Sequence, residues 1–309
     1  MYHLLALLTV CVWGTTFVST KVLLAHGLTP SGIFLLRFAL AYAGMLAVTR
    51  RPRRCASWRD EALMLLAGLT GGSLYFLTEN TALRFAQAGN VSLLVSLAPV
   101  ATVLLALLMG RRRGGSSRPP RRLWVGMALS LVGVSLVVSG EPVATATRPL
   151  LGGALALAGA LLWAVYQNIA PPLSRRYGVR VLTRKVFGYG LLTLLILHLL
   201  AAPLLPASGG AALASQFRTV LAEPAVWANL LFLGIVASWL CYLVWNTVVE
   251  RLGAVVSANY IYLNPLTTCL FSALFLGERF TPAMALGAVA ILSGVYIAVG
   301  WKAENREGR

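Results

Sequence analysis

Charged residues are scarce in this sequence, and acidic ones are the scarcest, with nine Asp and Glu against 26 Lys and Arg in 309 residues. Charged residues make up 11% of the chain, whereas a soluble domain carries about 25%. With 58% hydrophobic residues and a mean hydropathy of +0.78, the chain could not cover a water-facing surface. Apolar runs of about 20 residues recur along it, each long enough to cross a bilayer as a helix. The composition therefore predicts an all-α integral membrane protein.

Cysteine and histidine are also rare and scattered. The four cysteines have no CxxC spacing and the three histidines share no ligand spacing, so neither a disulfide framework nor a metal site is expected, and no cofactor is indicated. An intramembrane enzyme would need paired carboxylates, a histidine cluster or a nucleophile with a base at membrane depth. Only one acid, Glu79, lies well inside an apolar run. The chain is therefore not expected to be an enzyme, and the absence of a charged ring or carbonyl filter sequence disfavours a channel.

Ten apolar stretches predict ten transmembrane helices, with no soluble domain between them. The predicted spans are 3–25, 31–49, 62–83, 89–109, 122–139, 151–169, 183–203, 227–248, 254–276 and 282–301. Residues 1–25 lack the basic start and the small-residue cleavage site of a signal peptide, so they are assigned to the first span.

Lys and Arg lie mainly in the loops on one side of these spans. The loops after the second, fourth, sixth and eighth spans and the C-terminal tail carry 20 of them, and the opposite loops hold only four. The positive-inside rule therefore places both termini in the cytoplasm. Clusters of this kind lie beside anionic lipid, so the net charge of +17 does not indicate a nucleic-acid partner.

Two segments 166 residues apart, 79–113 and 245–279, have similar sequences. They share an Asn-Thr pair, a proline within an apolar run and a closing glycine: Asn80-Thr81 and Asn246-Thr247, Pro99 and Pro265, Gly110 and Gly277. Because five spans is an odd number, a duplicated unit of five must cross the membrane in the opposite sense. The sequence thus predicts two inverted five-helix repeats, residues 1–140 and 150–302, followed by a cytoplasmic tail at 303–309.

The fourth and ninth spans each carry a proline at mid-membrane beside uncharged polar residues. The residues concerned are Ser92, Ser96 and Pro99 in the fourth span and Asn259, Tyr262 and Pro265 in the ninth. A proline frees a backbone carbonyl one turn earlier, and broken helices at a repeat interface are typical of substrate sites in membrane carriers. We expect Pro99 and Pro265 to be hinges. The alternative is a kink that only improves packing, because proline is tolerated in membrane helices.

Aromatic and amide side chains also lie within the predicted spans. They are Trp13, Trp163, Gln167, Trp239 and Tyr242. In hydrocarbon an indole N–H needs a hydrogen-bond partner or a wet cavity. We expect these residues, with the polar residues of the fourth and ninth spans, to line a central binding cavity for an amphipathic solute. The alternative for each residue is packing against neighbours or contact with lipid.

Glu79, Arg37 and Lys21 are predicted at comparable depth in the outer half of the membrane. An unpaired charge there costs about 2.5–3.5 kcal/mol on insertion scales, so Glu79 is expected to pair with Arg37 or Lys21. The pair would be either a static clamp on the first three spans or an outer gate whose acid senses protons. Glu250 and Glu278 lie at helix ends and are expected at the interface.

Several motifs resemble the EamA-type branch of the drug/metabolite transporter superfamily. They are WGTTFVSTK at 13–21, LRF at 36–38, ENTAL at 79–83 with the hairpin that follows, and the run from RLGAVVSANYIYLNPL to LFLGER at 251–279. The resemblance covers almost the whole chain in both halves. One departure is that the first-half counterpart of LGER reads MGRRR, so Arg111 stands where Glu278 would predict an acid.

This resemblance implies a carrier of the bacterial inner membrane with a cavity lined by spans one, three, four, six, eight and nine. We therefore expect a secondary transporter that exports small amphipathic metabolites such as amino acids by alternating access, with a small-molecule substrate and the bilayer as its partners. A multidrug or lipid-type flippase is the nearest alternative, because an aromatic cavity would also serve it. The substrate, the coupling ion and the oligomeric state stay open.

Overall fold

The computed structural model describes residues 1–49, 55–112, 121–139, 147–201, 223–253, 257 and 260–299, and its regular elements in these ranges are all helical. The α-helices are α1 (Tyr2–Ala25), α2 (Pro30–Val48), α3 (Trp58–Gly68), α4 (Leu74–Phe85), α5 (Ala88–Val95), α6 (Ala98–Arg112), α7 (Arg121–Ser139), α8 (Pro149–Tyr177), α9 (Val179–Ala201), α10 (Pro224–Leu231), α11 (Cys241–Leu252), α12 (Asn264–Leu276) and α13 (Pro282–Val299). Two wide π-helical stretches join α3 to α4, Leu69–Ser73, and α10 to α11, Phe232–Leu240, and the first is kinked at Gly72, whose φ is −128° and ψ −105°. A 3-10 turn, Ile261–Leu263, precedes α12.

Seven helical stretches in the described ranges are long and apolar enough to cross a membrane. They are Tyr2–Ala25, Pro30–Val48, Trp58–Phe85, Ala88–Met109, Pro149–Tyr177, Val179–Leu200 and Pro224–Leu252. Three shorter apolar helices, Trp124–Val137, Ile261–Leu276 and Pro282–Gly294, lie where the other spans were predicted. The all-helical membrane architecture is confirmed, while the total of ten spans stays a prediction.

The helix that contains the sixth predicted span, 151–169, extends beyond those bounds. It continues through Pro171 and Pro172 to Tyr177 and is followed by Gly178, whose φ is +87°. Proline is tolerated inside a membrane helix where neighbouring groups satisfy the freed carbonyls, so the pair Pro171-Pro172 did not mark a helix end.

Local sequence explains how two of the helices begin. Thr29 caps α2 by accepting a hydrogen bond from the Gly32 N–H, and Ser57 caps α3 by accepting one from the Asp60 N–H. A hydroxyl at this position satisfies one of the free N–H groups of the first turn. These caps fix where α2 and α3 begin. Helix α2 carries Arg37, and α3 leads into α4, which carries Glu79.

The helices pack into one bundle with a large apolar core and a second, smaller apolar cluster. Helix α1 packs against α11 and α12, and α8 packs against α4, α5 and α6. Helices α7 and α13 lie side by side through glycines, because a Cβ on Gly133 would come within 2.6 Å of the Gly287 carbonyl oxygen. Small residues of this kind let membrane helices approach closely. Helices α1, α4, α8 and α11 meet at the centre of the bundle.

Candidate functional site

A cluster of aromatic rings lies at the centre of the bundle. The ring centroid of Trp13 is 5.6 Å from that of Trp163, 5.8 Å from that of Tyr242 and 5.0 Å from that of Trp245. Trp163 is also 5.1 Å from Tyr75. These rings come from α1, α4, α8 and α11 and meet at tilted or edge-to-face angles, which is the favourable geometry for aromatic pairs.

Two opposite charges are buried beside this cluster. Arg37 on α2 is 1% exposed and Glu79 on α4 is 3% exposed. Glu79 accepts a hydrogen bond from the Tyr75 hydroxyl, and the Arg37 Nε donates to the Ser238 Oγ at 2.5 Å. The guanidinium carbon of Arg37 lies 4.3 Å from the centroid of the Phe76 ring. No direct ion pair joins Arg37 to Glu79 among the described residues, so each charge is held by neutral neighbours.

Arg37 and Glu79 both line one small cavity. Its volume is about 30 Å³, and Trp13, Trp163 and Tyr242 also line it. The Arg37 Nη1 has no hydrogen-bond partner in the described part of the chain. The Asn264 amide oxygen, also on this cavity, is likewise unpartnered there. A cavity of this size holds about one water molecule, so the site as described is too small for an amino acid.

The two π-helical stretches provide carbonyl acceptors next to the aromatic rings. The Tyr242 hydroxyl donates to the Gly71 carbonyl oxygen at 2.5 Å, and the Trp13 indole N–H donates to the Ala237 carbonyl oxygen at 2.9 Å. Wide helical turns are frequent at functional sites because they displace the regular backbone hydrogen bonds. The carbonyls of Gly71 and Ala237, 166 residues apart, therefore hold two of the rings of the site in place.

Lys21 and Glu278 form an ion pair at the end of the bundle predicted to face outward. The Lys21 Nζ is 2.8 Å from the Glu278 Oε1 and 3.0 Å from the Ala86 carbonyl oxygen. Glu278 also accepts hydrogen bonds from the backbone N–H groups of Ala88, at 2.8 Å, and Gly89, at 3.2 Å. Gly277, with a φ of +63°, ends α12 just before Glu278 and turns the chain toward α5. The carboxylate thus joins α1, α5 and the chain after α12.

A second set of charged contacts lies at the opposite end of the bundle. Asp60 accepts a hydrogen bond from the Tyr177 hydroxyl at 2.5 Å and pairs with Arg176 at 2.6 Å. Glu61 pairs with Lys185 and accepts from the Tyr189 hydroxyl. These contacts join the start of α3 to the end of α8 and the start of α9. Both ends of the bundle are therefore held together by ionic contacts.

Not every predicted residue meets at the centre. Ser92 accepts a hydrogen bond from Thr268, Ser96 donates to the Leu93 carbonyl, and Trp239 packs its ring on Gly44 of α2. The side-chain polar atoms of Gln167, Trp239 and Tyr262 lack partners within the described ranges, and none of these residues lines the cavity. Asn259 lies outside the described residues.

The predicted hinge residues lie at interruptions of their helices. Helix α5 ends at Val95 and α6 begins at Ala98, immediately before Pro99, while the 3-10 turn at Ile261–Leu263 gives way to α12 just before Pro265. Both prolines are buried. Their role as hinges stays a prediction.

One expectation about charge needs correction. Among the described residues Glu79 forms an ion pair with neither Arg37 nor Lys21, and Lys21 pairs instead with Glu278, whose side chain is 5% exposed. The physical reason is that the N–H groups at the start of α5, together with Lys21, provide a site for a carboxylate. The LGER motif at 276–279 singled out Glu278 in the sequence, but it did not indicate Lys21 as the partner of this carboxylate.

Sequence reasoning did not select Tyr75, Tyr166 and Trp245 for the central site. Tyr75 is one helical turn before Glu79 and donates to it. The Tyr166 hydroxyl donates to the Asn246 amide oxygen at 2.8 Å, and the Tyr166 ring lies 5.1 Å from that of Trp163. The spacing of four residues between Tyr75 and Glu79 was the signal that could have found the first of them.

Comparison with known proteins gives the family. The EamA-like transporter family matches residues 1–139 and 150–300. A solved crystal structure with 21% sequence identity superimposes with a TM-score of 0.61 over 98% of each chain, which shows a shared fold.

Curated relatives match over nearly their full length. An uncharacterized transporter of Archaeoglobus fulgidus is 29% identical, with 96% of each chain covered. A protein of Streptantibioticus cattleyicolor named "Probable terminal-alkyne amino-acid exporter" is 30% identical over 94% of this chain and 90% of its own. An Escherichia coli protein named "Probable amino-acid metabolite efflux pump" is 30% identical over 96% of this chain and 93% of its own. The chain therefore belongs to the EamA-like transporter family, the EamA-type branch of the drug/metabolite transporters, and is a multi-pass membrane transporter.

Proposed function

We propose that this protein is a secondary carrier that exports small zwitterionic or amphipathic metabolites, such as amino acids, by alternating access. The observation that carries the proposal is the placement of Arg37 and Glu79 on one small aromatic-lined cavity. A free guanidinium nitrogen can bind a substrate carboxylate, and a carboxylate can bind a substrate ammonium group. The rings of Trp13 and Trp163 would contact the apolar part of the same solute.

The proposed binding site contains only some of the residues that the sequence predicts for it. Trp13, Trp163, Tyr242, Arg37 and Glu79 line the cavity. Ser92, Ser96, Gln167, Trp239, Asn259 and Tyr262 are proposed to reach the cavity only when it opens. Two relatives named for amino-acid or amino-acid metabolite export support the substrate class.

The proposed architecture is two inverted five-helix repeats, 1–140 and 150–302, with ten spans and both termini in the cytoplasm. Similar hydrogen bonds made by two equivalent asparagines, 166 residues apart, support it. The Asn80 amide donates to the Pro30 carbonyl at the start of α2, and the equivalent Asn246 donates to Thr183 near the start of α9. The π-helical stretches also occupy equivalent places in the two halves. Repeats of this kind support movement of one half against the other around a central site.

Transport would require each end of the bundle to open in turn. The Glu278 contacts would break in the outward-open form, and the Asp60 and Glu61 contacts in the inward-open form. The helix interruptions before Pro99 and Pro265 would let the outer and inner segments of these helices bend separately. A cavity of about 30 Å³ must enlarge to admit an amino acid, which supports a cycle through a closed intermediate.

Counterflow of labelled amino acids into proteoliposomes tests this function. We expect wild-type protein to exchange a zwitterionic amino acid, and Glu79→Gln to lower the rate about tenfold or more, since a hydrogen bond to a charged group contributes about 1.5–3 kcal/mol. The N-acetyl derivative, which has no ammonium group, should be affected less. Glu223→Gln, which changes an exposed glutamate, is the matched control.

Full activity of Glu79→Gln and Trp163→Ala proteins at normal abundance would show that the site is elsewhere. Saturable counterflow separates a carrier from a channel. Movement of labelled phospholipid, without amino-acid exchange, would favour the flippase instead.

A further inference from the structure

A second and larger cavity lies outside the central site. This cleft has a volume of about 820 Å³ and lies between the end of α2, the start of α3 and the first part of α9. Its walls carry both charged and apolar side chains, among them Tyr42, Trp58, Glu61, Arg184, Lys185 and Leu192. None of these residues lines the central cavity. We call this feature the α2–α9 cleft.

The acidic group of the α2–α9 cleft is already fully engaged. Glu61 pairs with Lys185 and accepts hydrogen bonds from the Tyr189 hydroxyl and, at 3.2 Å, from the Cys55 backbone N–H. Arg184 has no acidic partner among the described residues, and its Nη1 donates to the Thr49 carbonyl oxygen at 2.8 Å. A guanidinium has five N–H donors, so this bond leaves others to bind a ligand. The cleft therefore has an excess positive charge at Arg184.

The apolar residues of the cleft are open to their surroundings. Trp58 is 90% exposed and Leu192 is 45% exposed. Arg184 lies near the start of α9, in a cluster of basic residues that the positive-inside rule assigns to the cytoplasmic face. Tryptophan is enriched at the level of the lipid headgroups. A basic group and an apolar wall therefore occur together at the depth where headgroups and acyl chains meet.

We propose that the α2–α9 cleft binds an anionic phospholipid of the cytoplasmic leaflet. The phosphate accepts hydrogen bonds from the Arg184 guanidinium, whose planar fork matches phosphate geometry. An acyl chain lies along Leu192 and Trp58. Basic pockets between membrane helices on the cytoplasmic side bind anionic headgroups in this way. Because α3 and α9 form the walls and also carry the Glu61–Lys185 contact, the bound lipid stabilises the closed inner end of the bundle.

Native mass spectrometry of the full chain, titrated with phosphatidylglycerol, tests the proposal. Wild-type protein should retain phosphatidylglycerol more strongly than phosphatidylcholine with the same acyl chains. Arg184→Gln should weaken phosphatidylglycerol retention about tenfold, as expected for the loss of one charge-assisted contact. The matched control is Arg180→Gln, which changes an exposed arginine one turn earlier on the same helix and should bind as wild type does.

A second variant fills the cleft without removing a charge. Ala56 lines the cleft and is exposed, so Ala56→Trp should also lower phosphatidylglycerol retention while leaving Arg184 intact. Equal retention by wild type, Arg184→Gln and Ala56→Trp would overturn the proposal. Equal binding of the two lipids by wild type would also overturn it. Displacement of the lipid by millimolar inorganic phosphate would overturn the assignment to a lipid and would show a site for a free anion.

Discussion

Replacing Glu278 with glutamine should open the outer side of the central cavity to water. The carboxylate of Glu278 accepts three hydrogen bonds, from Lys21, Ala88 and Gly89, and its side chain is 5% exposed. Removing one partner of a buried ion pair costs about 3–5 kcal/mol. Lys21 is 24% exposed and keeps its bond to Ala86, so we expect a cost below this range but above that of a surface pair, about 2 kcal/mol. This is a factor of about 30 in the ratio of open to closed forms.

The assay is labelling of a cysteine placed on the central cavity. Thr16 lines the cavity and is buried, so Thr16→Cys, in a chain whose four native cysteines are replaced by serine, reports entry from outside. A membrane-impermeant thiol reagent added to intact cells should label this cysteine about 30-fold faster in the Glu278→Gln protein. Arg279→Gln, which changes the exposed neighbour, should leave the rate unchanged.

The contacts also predict an order of effects. Lys21→Met should increase labelling less than Glu278→Gln, because Glu278 would still accept the N–H groups at the start of α5. Exchanging the two charges should not restore closure, since a lysine at position 278 would face the positive end of that helix. Wild-type labelling of the Glu278→Gln protein, or full restoration by the exchange, would refute this account of the outer end.

Three further predictions concern the central site and the packing of the helices. Amino-acid counterflow by the wild type should fall as pH is lowered, because a protonated Glu79 has no negative charge to bind a substrate ammonium group. The Glu79→Gln protein should lose this pH dependence. If both proteins show the same pH dependence, Glu79 is a static clamp. Tyr242→Phe should lower the free energy of unfolding by about 1–3 kcal/mol in a thermal melt, because the bond to the Gly71 carbonyl is lost, and an unchanged melting temperature would argue against that bond. Gly133→Leu should reduce the yield of folded protein, since even a Cβ there would come within 2.6 Å of the Gly287 carbonyl oxygen; normal expression would show that α7 and α13 pack less closely.

Contacts between helices explain most of the differences between the predicted and observed sites. Trp239 and Tyr242 are three residues apart on the same predicted span, yet Tyr242 lines the cavity and Trp239 packs against Gly44. The wide π-helical turns at Phe232–Leu240 alter the direction of successive side chains, and a period of 3.6 residues does not describe them. Lys21 and Glu278 are 257 residues apart, and no local pattern connects them.

The sequence by itself determined the class of protein. Long apolar runs and scarce charge require a helical membrane protein, because helices satisfy their own backbone groups in lipid. Its motifs also indicated the family, and the mid-span positions of Trp13 and Trp163 predicted a central cavity, whereas Arg37 and Glu79 were expected to form an outer ion pair. The tertiary structure alone decided which charges meet, because partners are fixed by distances between helices rather than by spacing along the chain. It paired Lys21 with Glu278 and brought Arg37 and Glu79 to one small cavity.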